Sequence, residues 1–474
     1  MTQFENKKIH FIGIGGVGMS GIARVAHEQG HSVSGSDLRE SRYTKQLRDA
    51  GIEVFIGQRA DTISKVNPDI VVVSTAIMDN NPELMAAREA GIEIWHRAKM
   101  LAALGVGHTT LAVAGTHGKT TSSSMLASTI DAIGFDPTFL IGGIVRAYNS
   151  NAHCGNGEYY VVEADESDRS FTHLDPTAVL VTNVEADHLD HYEDLAEIYK
   201  LFGDFMSLVP EEEGCCVVCG EDKALVDVAR ATGRKVYTYG FGNIYDTQVS
   251  NYRTQGISTS FDIVLPDGKE HHCRIKQNPG RHNALNAAGV LTLMWARGFD
   301  MDAAVDALAE FAGVRRRFDM VGEASGITIV DDYAHHPTEI AATIEAARSL
   351  DFNHVHVLFQ PHRYSRVKLF TEVLRDDFAS AFDKADRVTF MDVYSAGEVP
   401  VPGVTGATFM QVVLDHPGHP EDTTFVAHRM KVVPTLIEKL EPGDLIITMG
   451  AGDVTAIGPE LLAALQEREL EGRG

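Results

Sequence analysis

Residues Leu111–Thr121 read LAVAGTHGKTT: an apolar run, a glycine turn, then a lysine–threonine pair opening the helix-compatible segment TSSSMLASTIDAIG. Strand, loop and helix in that order predict a phosphate-binding loop in an α/β fold. Backbone N–H groups at a helix N-terminus favour anionic oxygens, and glycines let the chain approach them closely. Lys119 would bring a point charge to terminal phosphates, and Thr120 a hydroxyl to a divalent cation. The spacing departs from the usual Gly-x-x-x-x-Gly-Lys-Ser/Thr, because Val113 stands at the first glycine position and Gly115 comes two residues late. A plain βα turn is the alternative. Such turns rarely place Lys-Thr directly after the glycine, so nucleoside triphosphate binding is the expectation.

Around this loop, 474 residues exceed one ordinary core, and about two to four domains are expected. Hydrophobic residues at 44% and charged residues at 23% fit a globular protein. A formal charge of −25 argues against a nucleic-acid or anionic-membrane surface. No stretch approaches the roughly 18 apolar residues of a membrane span, and MTQFENKK lacks a signal-peptide apolar core. Five cysteines suggest no disulfide framework, so a cytoplasmic protein is expected. Cys216 and Cys219 have Cys-x-x-Cys spacing but no second ligand pair, and read as buried structural thiols.

Apolar runs alternate with amphipathic segments throughout, which argues for parallel βαβ units. Three domains are expected, at 1–105, 106–321 and 322–474. In the first, Gly13, Gly15 and Gly18 spell Gly-x-Gly-x-x-Gly between a strand and a helix, and Asp37 follows the next strand. That is a dinucleotide fingerprint, with Asp37 near a ribose. By itself it fits a nicotinamide-linked dehydrogenase or a tight turn without ligand. Hydride transfer, however, leaves the loop at 115–120 without a task.

Strand YYVVEAD delivers Glu163, Asp165, Glu166 and Asp168 downstream of the phosphate loop. A carboxylate at such a strand end is placed to hold Mg²⁺. Glu163 is the metal candidate, while Glu166 is expected in a solvated acidic loop. VLVTNVEADHLDHY ends likewise in Asp187, His188, Asp190 and His191, which fit zinc or Mg²⁺ with one His ligand; His191 could equally be an exposed polar residue at a helix start. In GRHNALNAA, Asn283 and Asn286 share a helix face and could read an adenine edge; Asn283 could equally cap the helix. Arg315, Arg316 and Arg317 read as an anion contact or a hinge. Asp331, Asp332, Tyr333, His335 and His336, with Arg363 and Arg366, lie at strand ends and suit a carboxylate-bearing second substrate.

Taken together, AGTHGKT, EADESD, NVEADHLDHY, GRHNALNA, RRRFD, DDYAHHPTE and QPHRYSR resemble, in order and over essentially the whole chain, the Mur ligases, ATP-dependent amino-acid-adding enzymes of peptidoglycan precursor synthesis. The family's shortened phosphate loop accounts for Val113. The resemblance implies a Rossmann-like UDP-binding domain, a P-loop ATPase-like central domain and a Rossmann-like C-terminal domain that brings the amino acid. Gly13, Gly15, Gly16, Gly18, Asp37 and Ser74 would hold the UDP-sugar. Gly115, Thr116, His117, Gly118, Lys119, Thr120 and Thr121 would hold ATP, with Asn283 at adenine, Arg317 at the phosphates and Asp332 at the ribose. Thr120 and Glu163 would bind one Mg²⁺, with Mn²⁺ as the substitute ion, and His188 a second. Lys119, His188, His335, Arg363 and Arg366 would form the catalytic set, with His335 a candidate base.

The resemblance is nearest to the alanine-adding branch, which joins L-alanine to the lactyl carboxylate of UDP-N-acetylmuramate through an acyl phosphate. The recycling branch, which adds a tripeptide, is the competitor; it tends to carry Tyr where this chain has Ser167. Several relatives use a carbamylated lysine as metal support, and Lys200 lies three residues too early for that role. A monomer or weak homodimer that closes over its substrates, with no nucleic acid and no membrane insertion, completes the expectation.

Overall fold

The computed structural model describes residues 6–166, 169–185, 192 and 194–471. Asp168, Asp187, His188, Asp190 and His191 lie outside them. The architecture is three-domain α/β, and the chain gathers into two compact units. The first comprises 1–250, 262–273 and 285–311; the second comprises 251–261, 274–284 and 312–474. No helix among the described residues is long and apolar enough to cross a membrane.

The first unit opens with a five-stranded parallel sheet. Its strands run Glu53–Ile56, Ser32–Asp37, Lys8–Ile12, Ile70–Val73 and Glu93–His96 in spatial order. The order reverses between Lys8–Ile12 and Ile70–Val73, which opens a crevice at the carboxyl ends of those two strands. A second sheet follows in the same unit. There Thr109–Ala114 lies between Ala178–Val181 and Tyr159–Glu163, all parallel. These strands read as continuous apolar runs because both faces are covered: Leu111–Ala114, Val161–Val162 and Ala178–Leu180 are fully buried. Cys215, Cys216 and Cys219 sit in the parallel neighbour Cys215–Cys219 as free, buried thiols, and burial pushes them up to about 11, 12 and 11.

A buried polar knot ties the first sheet to a helix. Asn81 caps Pro82–Glu89 by accepting from the N–H groups of Glu83 and Leu84 at 3.0 and 3.2 Å. That fixes Glu83, fully buried, where Ser36 Oγ donates to it, with His10 Nε2 3.7 Å away. Burial by itself would raise the Glu83 carboxyl, but the neighbouring His10 ring and the hydrogen bond from Ser36 outweigh it and hold the group below its ordinary value. A depressed carboxylate stabilises the fold above its unfolded pKa of about 4.3, and that contribution is lost as pH falls through the folded value. Glu83→Gln is expected to cost about 1–3 kcal/mol near neutrality. The gap to the parent should close below about pH 4, as read from urea midpoints across pH. A gap that persists in acid would contradict an ionised Glu83.

The second unit is built on a six-stranded sheet. Its order is Asp319–Ala324, Ile327–Asp332, Leu445–Met449, Val355–Phe359, Arg387–Met391 and Asp422–Val426. The first pair is antiparallel and the rest are parallel. Phe359, Phe370, Phe378, Phe382 and Phe390 fill one face, with the Phe370 and Phe378 rings stacked 5.0 Å apart. Each such ring contributes about 1.5–3 kcal/mol on burial, so this face is the anchor of the unit.

Candidate active site

Three sets of loops at strand carboxyl ends carry the candidate residues. In the first sheet the chain leaves Lys8–Ile12 through Gly13 at φ +80°, and the N–H groups of Gly13 and Ile14 both donate to Ser36 O. Gly15 has no room for a side chain: a Cβ there would lie 2.8 Å from Thr44 and 2.9 Å from Asp37 Oδ2. Gly16 precedes the helix Val17–Glu28 with no side-chain cap, and Gly18 lies on its first turn against Arg97. Asp37 ends the neighbouring strand and accepts from Gly15 N at 2.9 Å, so its carboxylate steadies the turn. Ser74 follows Ile70–Val73 across the crevice. The structure therefore gathers all six UDP-sugar candidates at the switch point.

The second loop leaves Thr109–Ala114 and enters the helix Lys119–Ala132. Gly115 at φ +134° and Gly118 at φ +83° admit no side chain; a Cβ would meet Thr182 Oγ1 at 2.1 Å or Asn286 Oδ1 at 2.6 Å. Asn183 clamps the turn, accepting from His117 N at 2.9 Å and donating to His117 O at 3.0 Å. Lys119 Nζ donates to Gly115 O, to Thr116 O at 3.0 Å and to Glu166 Oε1 at 2.9 Å. Burial works to lower the ammonium, but the charges of Glu166, Asp165 and Glu163 outweigh it and keep Lys119 above its ordinary value. Thr120 Oγ1 donates to Glu163 Oε1 at 2.9 Å, and Gly142 N orients the other carboxylate oxygen at 2.7 Å. A hydroxyl and a carboxylate beside a phosphate loop are hard oxygen donors and fit Mg²⁺. Thr121 is buried on the same helical turn.

One expectation is overturned. Glu166 is 3% exposed, paired with Lys119 and far from solvated. Its backbone oxygen also accepts from Tyr192 Oη, which draws the acidic loop inward. The physical reason is the lysine: an ammonium drawn out of water needs a counter-charge, and the strand end supplies it.

The third set belongs to the second unit. Asp332 is buried and accepts from Phe318 N at 2.7 Å and Ala334 N at 2.8 Å; burial pushes its carboxyl up to about 6 against the pull of Arg317. Arg317 Nη1 lies 3.3 Å from Glu339, with its guanidinium over the Tyr333 ring. His335 Nδ1 is 3.0 Å from Tyr333 O. A carbonyl only accepts, so Nδ1 carries the proton, and Nε2 is the basic nitrogen of the neutral ring. His362 lies beside His335, ring centroids 6.0 Å apart, and stacks on Tyr394. Burial, then the Arg366 and Arg363 charges, push His362 down to about 4. Arg363 takes the unusual φ of +68°, and Arg366 Nη1 is buried with no hydrogen-bond partner among the described residues. Asn283 lies inside the helix Arg281–Ala296, so it is not the cap; its Nδ2 donates to Pro279 O at 3.0 Å.

The sequence pattern singles out neither Asn183 nor Glu339, and it does not pair Arg316 with Asp331. Asn183 had a signal, a polar residue directly after the apolar strand beside the phosphate-loop strand. Arg316, expected with its two neighbours at an anion contact or hinge, donates to Gly450 O and Gly452 O from 134 and 136 positions away, and to Asp331, which also accepts from Thr448 and Thr455 at 2.7 Å.

Family models match the chain in three stretches. Residues 8–108 match the Mur ligase family catalytic domain, 113–294 the Mur ligase middle domain and 316–452 the Mur ligase glutamate ligase domain. The chain is 44% identical over 471 residues to UDP-N-acetylmuramate–L-alanine ligase of Thermobifida fusca, covering 97% of this chain and 96% of that protein. It is 42% identical over 463 residues to the enzyme of the same name from Myxococcus xanthus, at 98% and 96% coverage. The crystal structure of UDP-N-acetylmuramate–alanine ligase from Thermotoga maritima superposes with TM-score 0.79 at 28% identity, covering 98% of this chain and 100% of that one. A murein peptide ligase from Psychrobacter arcticus shares the fold at TM-score 0.71 and 24% identity, covering 97% and 99%. The three family models together span most of the chain, relatives above 40% identity cover nearly all of it, and the chain belongs to the Mur ligase family.

Proposed function

We propose that this protein joins L-alanine to the lactyl carboxylate of UDP-N-acetylmuramate, with ATP as co-substrate, in peptidoglycan precursor synthesis. What carries the reading in the geometry is the meeting of Lys119, Thr120 and Glu163 at the second glycine loop, in a unit whose first loop is already shaped for a diphosphate. Its domains are 1–105 for the UDP-sugar, 106–321 for ATP and 322–474 for the amino acid. The work belongs in the cytoplasm, where nucleotide substrates are made.

A carboxylate is a poor electrophile. Transfer of the γ-phosphoryl group to it gives an acyl phosphate and ADP; the alanine amine then attacks the carbonyl, and phosphate leaves as the amide forms. Charge accumulates on the transferring oxygens, and Lys119 and Arg317 are the cations to meet it. Bound Mg²⁺ would neutralise phosphate charge, held by Thr120 and Glu163, with His188 toward a second ion. In the second unit Arg366 holds the amino-acid carboxylate with Arg363 beside it, and His335 Nε2 takes the amine proton. In this reading Asn283 would contact adenine and Asp332 the ribose.

Trapping tests the route. Borohydride added to protein, ATP and UDP-N-acetylmuramate without amino acid should reduce the acyl phosphate, giving the lactyl alcohol by mass. Absence of that product under conditions that support turnover would contradict an activated carboxyl. Glu163→Gln should raise the Mg²⁺ concentration for half-maximal rate by about 10–100-fold, since one charged oxygen donor becomes neutral. An unchanged Mg²⁺ dependence would remove Glu163 from the metal.

A further inference from the structure

At the end of the second unit's sheet away from Asp332 and Gly450, three ligating side chains meet. His354 directly precedes the strand Val355–Phe359 and His356 is its second residue, so the two share a face of the strand. Asp444 directly precedes the parallel neighbour Leu445–Met449, two residues before Ile446, the register partner of His356. Asp444 Oδ1 lies 2.8 Å from His354 Nδ1, and Oδ2 lies 2.9 Å from His356 Nε2. Their donor atoms all lie within 4.8 Å of one another. Asp444 is fully buried and His356 3% exposed, while His354 is 39% exposed and opens the cluster to solvent.

We infer that His354, His356 and Asp444 form a binding site for a divalent transition-metal ion of the zinc class. Two imidazole nitrogens and one carboxylate, with a fourth position open to water, are the donor set zinc prefers over magnesium. Zinc bonds of about 2.0–2.1 Å place tetrahedral donors roughly 3.3 Å apart, so the present 2.8 and 2.9 Å contacts need open by only about half an ångström. Either ring nitrogen of an imidazole can carry the proton, so each ring can present the nitrogen that faces the carboxylate as a ligand.

The scaffold is fixed before any ion arrives. Glu441 N donates to Asp444 Oδ2 at 3.0 Å, Leu445 N to His354 O at 2.9 Å, and Thr328 N to Asp444 O at 3.0 Å. Such outer contacts orient ligands and sharpen affinity. Arg387 stands beside His356 in register but turns to Lys439 O and Asp422. The ion would staple two central strands at the end opposite the loops that carry Gln360 and Gly450.

Full-length protein, freed of metal by a chelator and then kept in excess Mg²⁺ to fill oxygen-ligand sites, is titrated with Co²⁺. One Co²⁺ per chain is expected, with the visible absorption of a four-coordinate site, displaced stoichiometrically by Zn²⁺ and accompanied by a higher melting temperature. His354→Gln, at the exposed rim where folding is not at stake, should weaken binding at least about 100-fold and abolish the thermal shift. Asp444→Asn should do the same if it folds. No stoichiometric band, or binding unchanged in His354→Gln, overturns the site.

Discussion

Replacing Lys119 by alanine is expected to lower the ligation rate by at least about 10³-fold, while UDP-N-acetylmuramate affinity stays within about twofold of the parent. The rate loss follows from removing a largely buried cation seated in the phosphate loop. The unchanged affinity follows from the fold: the UDP-sugar loop leaves Lys8–Ile12 in one sheet, and Lys119 follows Thr109–Ala114 in another. The substitution also strands Glu166, 3% exposed, without its partner. An unpaired buried charge costs about 3–5 kcal/mol, so the variant should melt lower. Lys119→Ala with Glu166→Gln should recover the melting temperature without recovering turnover. That separates lost chemistry from lost stability. Calorimetry showing loss of UDP-sugar binding in the folded double variant would contradict the division of labour.

Arg366→Ala should raise the KM for alanine by about 10–100-fold, with kcat changed much less. The magnitude is that of a hydrogen bond to a charged group, about 1.5–3 kcal/mol. The reason lies in one atom: Arg366 Nη1 is buried and has no protein acceptor among the described residues, so a carboxylate arriving there meets a donor already stripped of water. A ligand held equally in ground and transition states changes KM rather than kcat. Arg366→Lys should recover only part of the loss, because an ammonium cannot fork a carboxylate. An alanine KM unaffected by Arg366→Ala would remove the residue from that role.

The parallel α/β plan was legible because buried strands advertise themselves: LAVA, YYVV and AVLV are apolar without alternation, as strands covered on both faces must be. The two glycine loops were legible for a related reason, since backbone that must turn tightly and approach an anion leaves glycines at fixed offsets. Glu166 was misread because sequence shows which carboxylates leave a strand, not which one folds under the neighbouring loop to meet a lysine 47 positions earlier. Arg315–Arg317 posed the same problem. Three consecutive arginines look alike, yet Arg316 turns to Asp331 and the Gly450 loop while Arg317 turns to Glu339. Local pattern sets the elements; pairings made across a hundred residues sort equivalent side chains into different work.

The alanine assignment is tested most directly by phosphate release from ATP with UDP-N-acetylmuramate present, adding either L-alanine or the L-Ala-γ-D-Glu-diaminopimelate tripeptide. Alanine-dependent release, with the amide product seen by mass and little release with tripeptide, is the predicted result. Release with the tripeptide alone would move the protein to the recycling branch of the family and contradict the alanine assignment. No release with either would contradict the ligase reading itself.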